Sequence, residues 1–168
     1  LSRSRPNVAV ISLTITPDFN GSVKITDEID ASFIENARDW QFKTADPSLL
    51  TSVTEGEQSE INSLEVRMGS GENRLAIISK LIYGANTVPA EINLNQQDKC
   101  INRQVTLKVK SGISYTIHKI VAIVTESDSP ALFNFAYTSV EGAAGNLDKL
   151  KQDHINAWSE IWQHRIET

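Results

Sequence analysis

Ile113-Ser114-Tyr115-Thr116-Ile117-His118-Lys119-Ile120-Val121-Ala122-Ile123-Val124-Thr125 begins as an alternating segment and ends as a continuous apolar one. Ile113, Tyr115 and Ile117 share one side and Ser114, Thr116 and His118 the other, the period of two expected of a strand with one wet face. From Ile120 to Val124 the wet positions turn apolar, so a second layer is expected over that side. Its source follows directly. Ser129-Pro130 is a helix-start pair, with serine as cap and proline at the first helical position. Helical spacing then runs toward Thr168. The expectation is a mainly β chain, an antiparallel β-sandwich over residues 1–127, carrying two C-terminal helices over residues 128–168.

Working outward, Val105, Leu107 and Val109 alternate up to Ser111-Gly112, which predicts a two-residue hairpin into the strand quoted above. Asn7 to Thr16 alternates with Ala9, Ile11, Leu13 and Ile15 on a strongly apolar side. Pro17-Asp18-Phe19-Asn20-Gly21 supplies a turn, and Ser22 to Ile25 resumes as a second hairpin strand. Asn20-Gly21-Ser22 fits a glycosylation acceptor, but an Asn-Gly turn accounts for it. Asp27-Glu28-Ile29-Asp30 interrupts with charge before a short strand at 32–35. Further strands are expected around Trp40 to Thr44, Ile61 to Val66, Arg74 to Tyr83 and Ala90 to Leu94. Asp46 to Glu60 reads as a polar connection, and Gly69-Ser70-Gly71 as a turn too short to cradle a phosphate. About nine strands at this turn spacing, with no helices between them, is the pattern of a sandwich.

Leu132, Phe133, Ala136 and Val140 line one side of the first expected helix, which ends between Gly142 and Gly145. Asn146 is placed to cap the second, where Leu147, Leu150, Ala157, Trp158 and Ile161 form a stripe widened by Trp162.

Composition narrows the function classes. The chain has 168 residues, 40% hydrophobic, enough for one core. A net charge of −5 with no basic cluster argues against nucleic acid or an anionic membrane as partner. No apolar run reaches transmembrane length and no signal peptide opens the chain. The single cysteine, Cys100, forms no intrachain disulfide and is expected to be an inert packed thiol. Because the first residue is Leu1, a piece of a longer polypeptide is expected.

No catalytic set stands out. The three histidines, His118, His154 and His164, accompany no Gly-x-Ser-x-Gly elbow and do not combine with Cys100 at zinc-ligand spacing. Glu55, Glu57 and Glu60 lie in an expected loop, where nothing fixes them on one rigid face. No catalytic, cofactor-binding or metal-ligating residue is therefore assigned, and no cofactor is expected. Trp40, Trp158 and Trp162 present flat apolar faces suited to a sugar ring or to a protein partner.

The order Thr16-Pro17-x-Phe19-x-Gly21-x-Val23, Asn36, His118-Lys119-x-Val121-Ala122-x-Val124-Thr125 and His154-x-x-Ala157-Trp158-x-x-x-Trp162 resembles glycoside hydrolase family 65. That family comprises maltose, kojibiose and trehalose phosphorylases and acid trehalases. The resemblance runs nearly end to end and is most specific at the His-x-x-Ala-Trp-x-x-x-Trp signature. It implies a two-part enzyme, in which a galactose-mutarotase-like β-supersandwich and a pair of linker helices precede an (α/α)6 barrel holding the catalytic glutamate. This chain would supply the later sandwich strands and the linker helices, and no residue of it matches the catalytic glutamate.

Two expectations of different class follow. In the first, the domain is a non-catalytic support for the catalytic barrel of an enzyme acting on α-linked disaccharides, with Trp158, Trp162 and His154 as the barrel-docking residues. In the second, it is an autonomous carbohydrate-binding sandwich with Trp40 as the stacking platform. Open sheet edges and an uncovered helix stripe further predict self-association, with a homodimer as its simplest form.

Overall fold

The computed structural model describes residues 2–30, 40–44, 61–68, 73–97 and 100–163. The strand expected at 32–35, the polar connection 46–60 and the turn 69–71 lie outside them. The elements in chain order are β1 (Val8–Ile15), β2 (Gly21–Asp30), β3 (Trp40–Thr44), β4 (Ile61–Met68), β5 (Asn73–Tyr83), β6 (Pro89–Gln97), β7 (Cys100–Val109), β8 (Tyr115–Thr125), α1 (Leu132–Ala144) and α2 (Leu147–Gln163). Five strands form one antiparallel sheet in the order β1-β8-β5-β4-β3, and three form a second in the order β2-β7-β6. The molecule is a β-sandwich with a helical layer on the outer face of its larger sheet.

Both hairpins expected from the sequence are instead corners between the two sheets. β1 pairs with β8 while β2 pairs with β7, so the turns after Ile15 and after Val109 each carry the chain from one sheet to the other. The two corners are bonded side by side. Gly112 donates its backbone N–H to Pro17 O at 2.8 Å, and Ser111 donates its own to Asn20 Oδ1 at 3.0 Å. Gly112 sits at φ 77°, a left-handed conformation that disfavours any side chain. Alternation and a tight turn look the same whether the flanking strands bond each other or separate partners, which is why the local pattern misassigned the pairing.

β8 explains the layering. Its outward positions Ile120, Ala122 and Val124 are buried beneath Leu132, Ala136, Val140 and Ala143 of α1, together with Val8 of β1 and Ile78 of β5. This is the layer called for by the loss of alternation after His118. Toward the same sheet's other end that face is wet, and the two strands are stitched by Ser12–His118, Thr14–Thr116 and Thr16–Ser114 side-chain hydrogen bonds of 2.8–2.9 Å. The inner face packs Tyr115 and Ile117 with Leu81 on Val105, Leu107 and Val109 of the second sheet. The strongly apolar side of β1 is the side on which Ile15 packs against this inner core, yet on the same side Ile11 is 60% and Leu13 44% exposed.

The charged stretch Asp27–Asp30 does not interrupt a strand; it is the end of β2. Asp27 is buried between the sheets, and side chains from four other strands converge on it. Its Oδ2 accepts from Arg103 Nη2 at 2.6 Å, from Asn62 Nδ2 at 3.2 Å and from Ser79 Oγ at 3.5 Å, while Lys119 pairs with Oδ1. Lys119 also donates to Glu28 O at 2.9 Å. A carboxylate can occupy the interior because cations and donors meet it there.

The helix start falls two residues later than the Ser-Pro pair suggests. α1 begins at Leu132 with Ala131 in the cap position, and Ser129 Oγ accepts from the Ala131 N–H at 3.2 Å instead of capping the helix. Asn146 does cap α2, its Oδ1 accepting from the Lys149 N–H at 3.0 Å.

Candidate functional site

α2 is amphipathic, yet among its residues only Leu150 is fully buried. Its polar side is held by local pairs, Lys149 Nζ to Asp153 Oδ1 at 3.1 Å and Gln152 Nε2 to Asn156 Oδ1 at 2.9 Å. With 3.6 residues per turn, Ile155, Trp158 and Trp162 fall within about 60° of one another around the helix. All three are bare, with exposures of 54%, 40% and 56%. The indoles of Trp158 and Trp162 are stacked, with centroids 6.3 Å apart and planes at 27°. His154 meets Trp158 edge-on at 6.4 Å and 74°.

The structure thus brings His154, Trp158 and Trp162 together on one helix surface. Sequence reasoning missed two contributors. Ile155 carries the expected spacing to Trp158 and Trp162 and was legible. Arg3, 151 residues away, was not; its backbone N–H donates to His154 Nδ1 at 2.9 Å, and its guanidinium carbon lies 5.9 Å from the centre of the Trp158 ring. Stacked indoles with an aliphatic neighbour and a cation at the rim form a surface that gains by being covered, since aromatic faces anchor interfaces through buried area.

Trp40 is placed elsewhere. It opens β3, opposite Met68 of β4, at the far edge of the larger sheet from β1.

The other chemistry-bearing groups are engaged locally. Burial pushes the His118 imidazole below its ordinary value, Lys151 adds to this and Asp148 opposes it. Burial first, then Glu28 and Asp30, pushes the Cys100 thiol up, away from the reactive thiolate. Arg74 is paired with Glu126 at the mouth of the β8–α1 connection. An open depression of about 440 Å³ between the ends of β5 and α1 is lined by Lys80, Ile82, Tyr83, Glu141 and Gly145. Its two charges meet each other, Lys80 Nζ lying 2.9 and 3.0 Å from the Glu141 carboxylate oxygens. Among the described residues no three His, Cys, Asp or Glu side chains gather as a metal site.

Comparison with known proteins accounts for this architecture. A solved structure named as a kojibiose phosphorylase from human microbiome superposes with a TM-score of 0.63 at 14% identity, over 90% of this chain and 19% of that one. The likeness is one of fold. Uncharacterized glycosyl hydrolases of Mycobacterium tuberculosis, strains CDC 1551 / Oshkosh and H37Rv, are each 23% identical over 170 residues. The chain spans only 12% of the length of those curated relatives, although the match takes in 96% of its own. The family described as Glycosyl hydrolase family 65, N-terminal domain, matches residues 1–161. The chain therefore belongs to glycosyl hydrolase family 65, as the N-terminal domain of that family's enzymes.

Proposed function

We propose that this domain is a non-catalytic support for the catalytic barrel of a family 65 enzyme that cleaves α-linked disaccharides by water or by phosphate, and that α2 is the element on which the barrel sits. The observation that carries this reading is the bare surface of Ile155, Trp158 and Trp162 on a helix that buries only Leu150. A family whose relatives are several times longer than this chain supplies a reason for such a surface.

The exposed parts of the two indoles amount to roughly 240 Å², taking about 250 Å² for a tryptophan side chain. Covering them is worth at most about 6 kcal/mol by area, enough to anchor a barrel already joined to the same chain. Trp158→Ala or Trp162→Ala is expected to weaken binding to a separately expressed family 65 barrel by roughly 30-fold, the factor of a 2 kcal/mol hot spot. Unchanged affinity in both variants would remove α2 from the interface. The chain alone is expected to turn over neither maltose, kojibiose nor trehalose, with or without phosphate; turnover would overturn the supporting role.

A further inference from the structure

Among the described strands β1, β3, β2 and β6 are sheet edges, and they are not alike. Three of them carry residues that keep an edge from pairing with another chain: Lys24 and Glu28 in β2, Lys43 in β3, Pro89 and Glu91 in β6. β1 reads Val-Ala-Val-Ile-Ser-Leu-Thr-Ile, with neither a charge nor a proline. Its bonding says which backbone groups are open. Asn7 O accepts from the Ile123 N–H at 2.9 Å, so the odd-numbered residues turn their N–H and C=O toward β8 and the even-numbered ones turn theirs outward. Val8 agrees, since its N–H donates to Arg5 O at 2.9 Å and its C=O accepts from the Ser2 N–H at 2.7 Å. The segment before β1 thus covers the edge at that end. Past it, Ile11, Ser12, Leu13 and Thr14 are exposed. The outward backbone groups that remain are those of Val10, Ser12 and Thr14, with Ser12 at their centre.

We propose that this edge takes a second copy of the same chain, whose β1 adds antiparallel about a two-fold axis between the two Ser12 residues. About that axis Val10 faces the partner's Thr14 and Thr14 faces the partner's Val10. Outward groups therefore meet outward groups, each pair exchanges both of its backbone bonds, and the two larger sheets become continuous. An axis at Ile11 or at Leu13 loses one of these pairs, to the covered Val8 or to the end of the strand. The side chains fit the same axis. Ile11, 60% exposed, comes opposite the partner's Leu13, and Leu13, 44% exposed, opposite the partner's Ile11, so that bare apolar side chains cover one another on one face. On the other face Ser12 and Thr14, bonded to His118 and Thr116, set hydroxyls rather than charges across the join. The ladder is short and covers little surface, which places the dimer among weak, reversible associations.

The pairing uses a sheet edge and not the indoles of α2, so it stands apart from the supporting role proposed above. The test is light scattering of the wild-type chain from roughly 10 µM to 1 mM, with disulfide trapping in the Cys100→Ser background. The wild-type mass is expected to rise toward that of a dimer with concentration, and that of Trp158→Ala to rise alike. Ile11→Lys is expected to weaken association roughly tenfold, because the two-fold axis counts the change twice. Directly opposed residues of a bonded pair have Cα atoms about 5.5 Å apart, inside the usual span of a disulfide. Ser12→Cys is therefore expected to oxidise to a covalent dimer. Val10→Cys alone is expected to stay uncross-linked, since Val10 and its copy are separated by the strand length from Val10 to Thr14, roughly 13 Å. Val10→Cys combined with Thr14→Cys is expected to cross-link again. A wild-type chain that stays monomeric throughout, or trapping of Val10→Cys as fast as that of Ser12→Cys, would overturn the pairing. So would association that Trp158→Ala abolishes and Ile11→Lys leaves intact, which would move the contact to α2.

Discussion

Replacing Asp27 by asparagine changes one oxygen and keeps the shape of the side chain, so its effect isolates the buried charge. The carboxylate lies within 3.5 Å of donors from Arg103, Asn62 and Ser79 and is paired with Lys119, which together join β2 and β7 of the smaller sheet to β4, β5 and β8 of the larger one. Arg103 is fully buried and Lys119 is mostly so. With the negative charge gone, the guanidinium and the ammonium lose the anion on which they converge, the guanidinium out of reach of bulk water. Removing one member of a buried ion pair costs about 3–5 kcal/mol, against a total stability of about 5–15 kcal/mol for a domain. Urea unfolding of Asp27→Asn should therefore move to a much lower midpoint with an unchanged slope. A joint exchange of Asp27 for leucine and Arg103 for methionine should lose less than Asp27→Asn, because no cation is then stranded by the change at position 103. A loss below about 1 kcal/mol for Asp27→Asn would refute the idea that this network holds the sheets together.

The depressed His118 imidazole makes a statement about pH. A folded value below the ordinary 6.5 means that the unfolded chain takes the proton first, so the contribution is present above about 6.5 and is lost as pH falls below it. His118→Gln should reduce the drop in thermal midpoint between pH 7.5 and pH 5, values chosen to bracket roughly that window; an undiminished drop would contradict the assignment. Cys100, its thiol raised by burial and by Glu28 and Asp30, should alkylate with iodoacetamide at neutral pH more slowly than a cysteine in an unfolded peptide, and faster reaction would show the environment to be misread. On β1, Ile11→Lys places a charge on an exposed position of an edge strand that carries none. The self-association expected of an open sheet edge should be weaker in this variant than in the wild-type chain by light scattering, at a stability cost within about 0.5 kcal/mol, whereas equal association of the two would exclude this edge as the route.

Periodicity reached the layers and fell short of the pairings. The switch at Ile120 located the face that α1 covers, because burial of Ile120, Ala122 and Val124 depends only on which side of one strand is dry. Whether β7 bonds β8 or β2 depends on partners far apart in the chain, so two sheet corners read as hairpins. Asp27 was misread for a related reason. A charged residue in a strand signals an edge or a turn unless its counter-charge is known, and Arg103 lies 76 residues away. The apolar side of β1 did face the inner core at Ile15, but a single strand carries no information on what lies opposite Ile11 and Leu13, which are exposed. At the α2 surface the helical spacing of Trp158 and Trp162 was read from the sequence, Ile155 carried a compatible spacing but was passed over, and the Arg3 contact arises from tertiary packing alone.

The most direct measurement is acrylamide quenching of Trp158 and Trp162, each observed with the other tryptophans replaced by phenylalanine, in the chain alone and in complex with a family 65 catalytic barrel. Both indoles should quench readily in the free chain, as their 40% and 56% exposures imply, and both should become protected in the complex. Indoles that stay equally accessible when the barrel is bound would contradict the assignment of α2 as its seat.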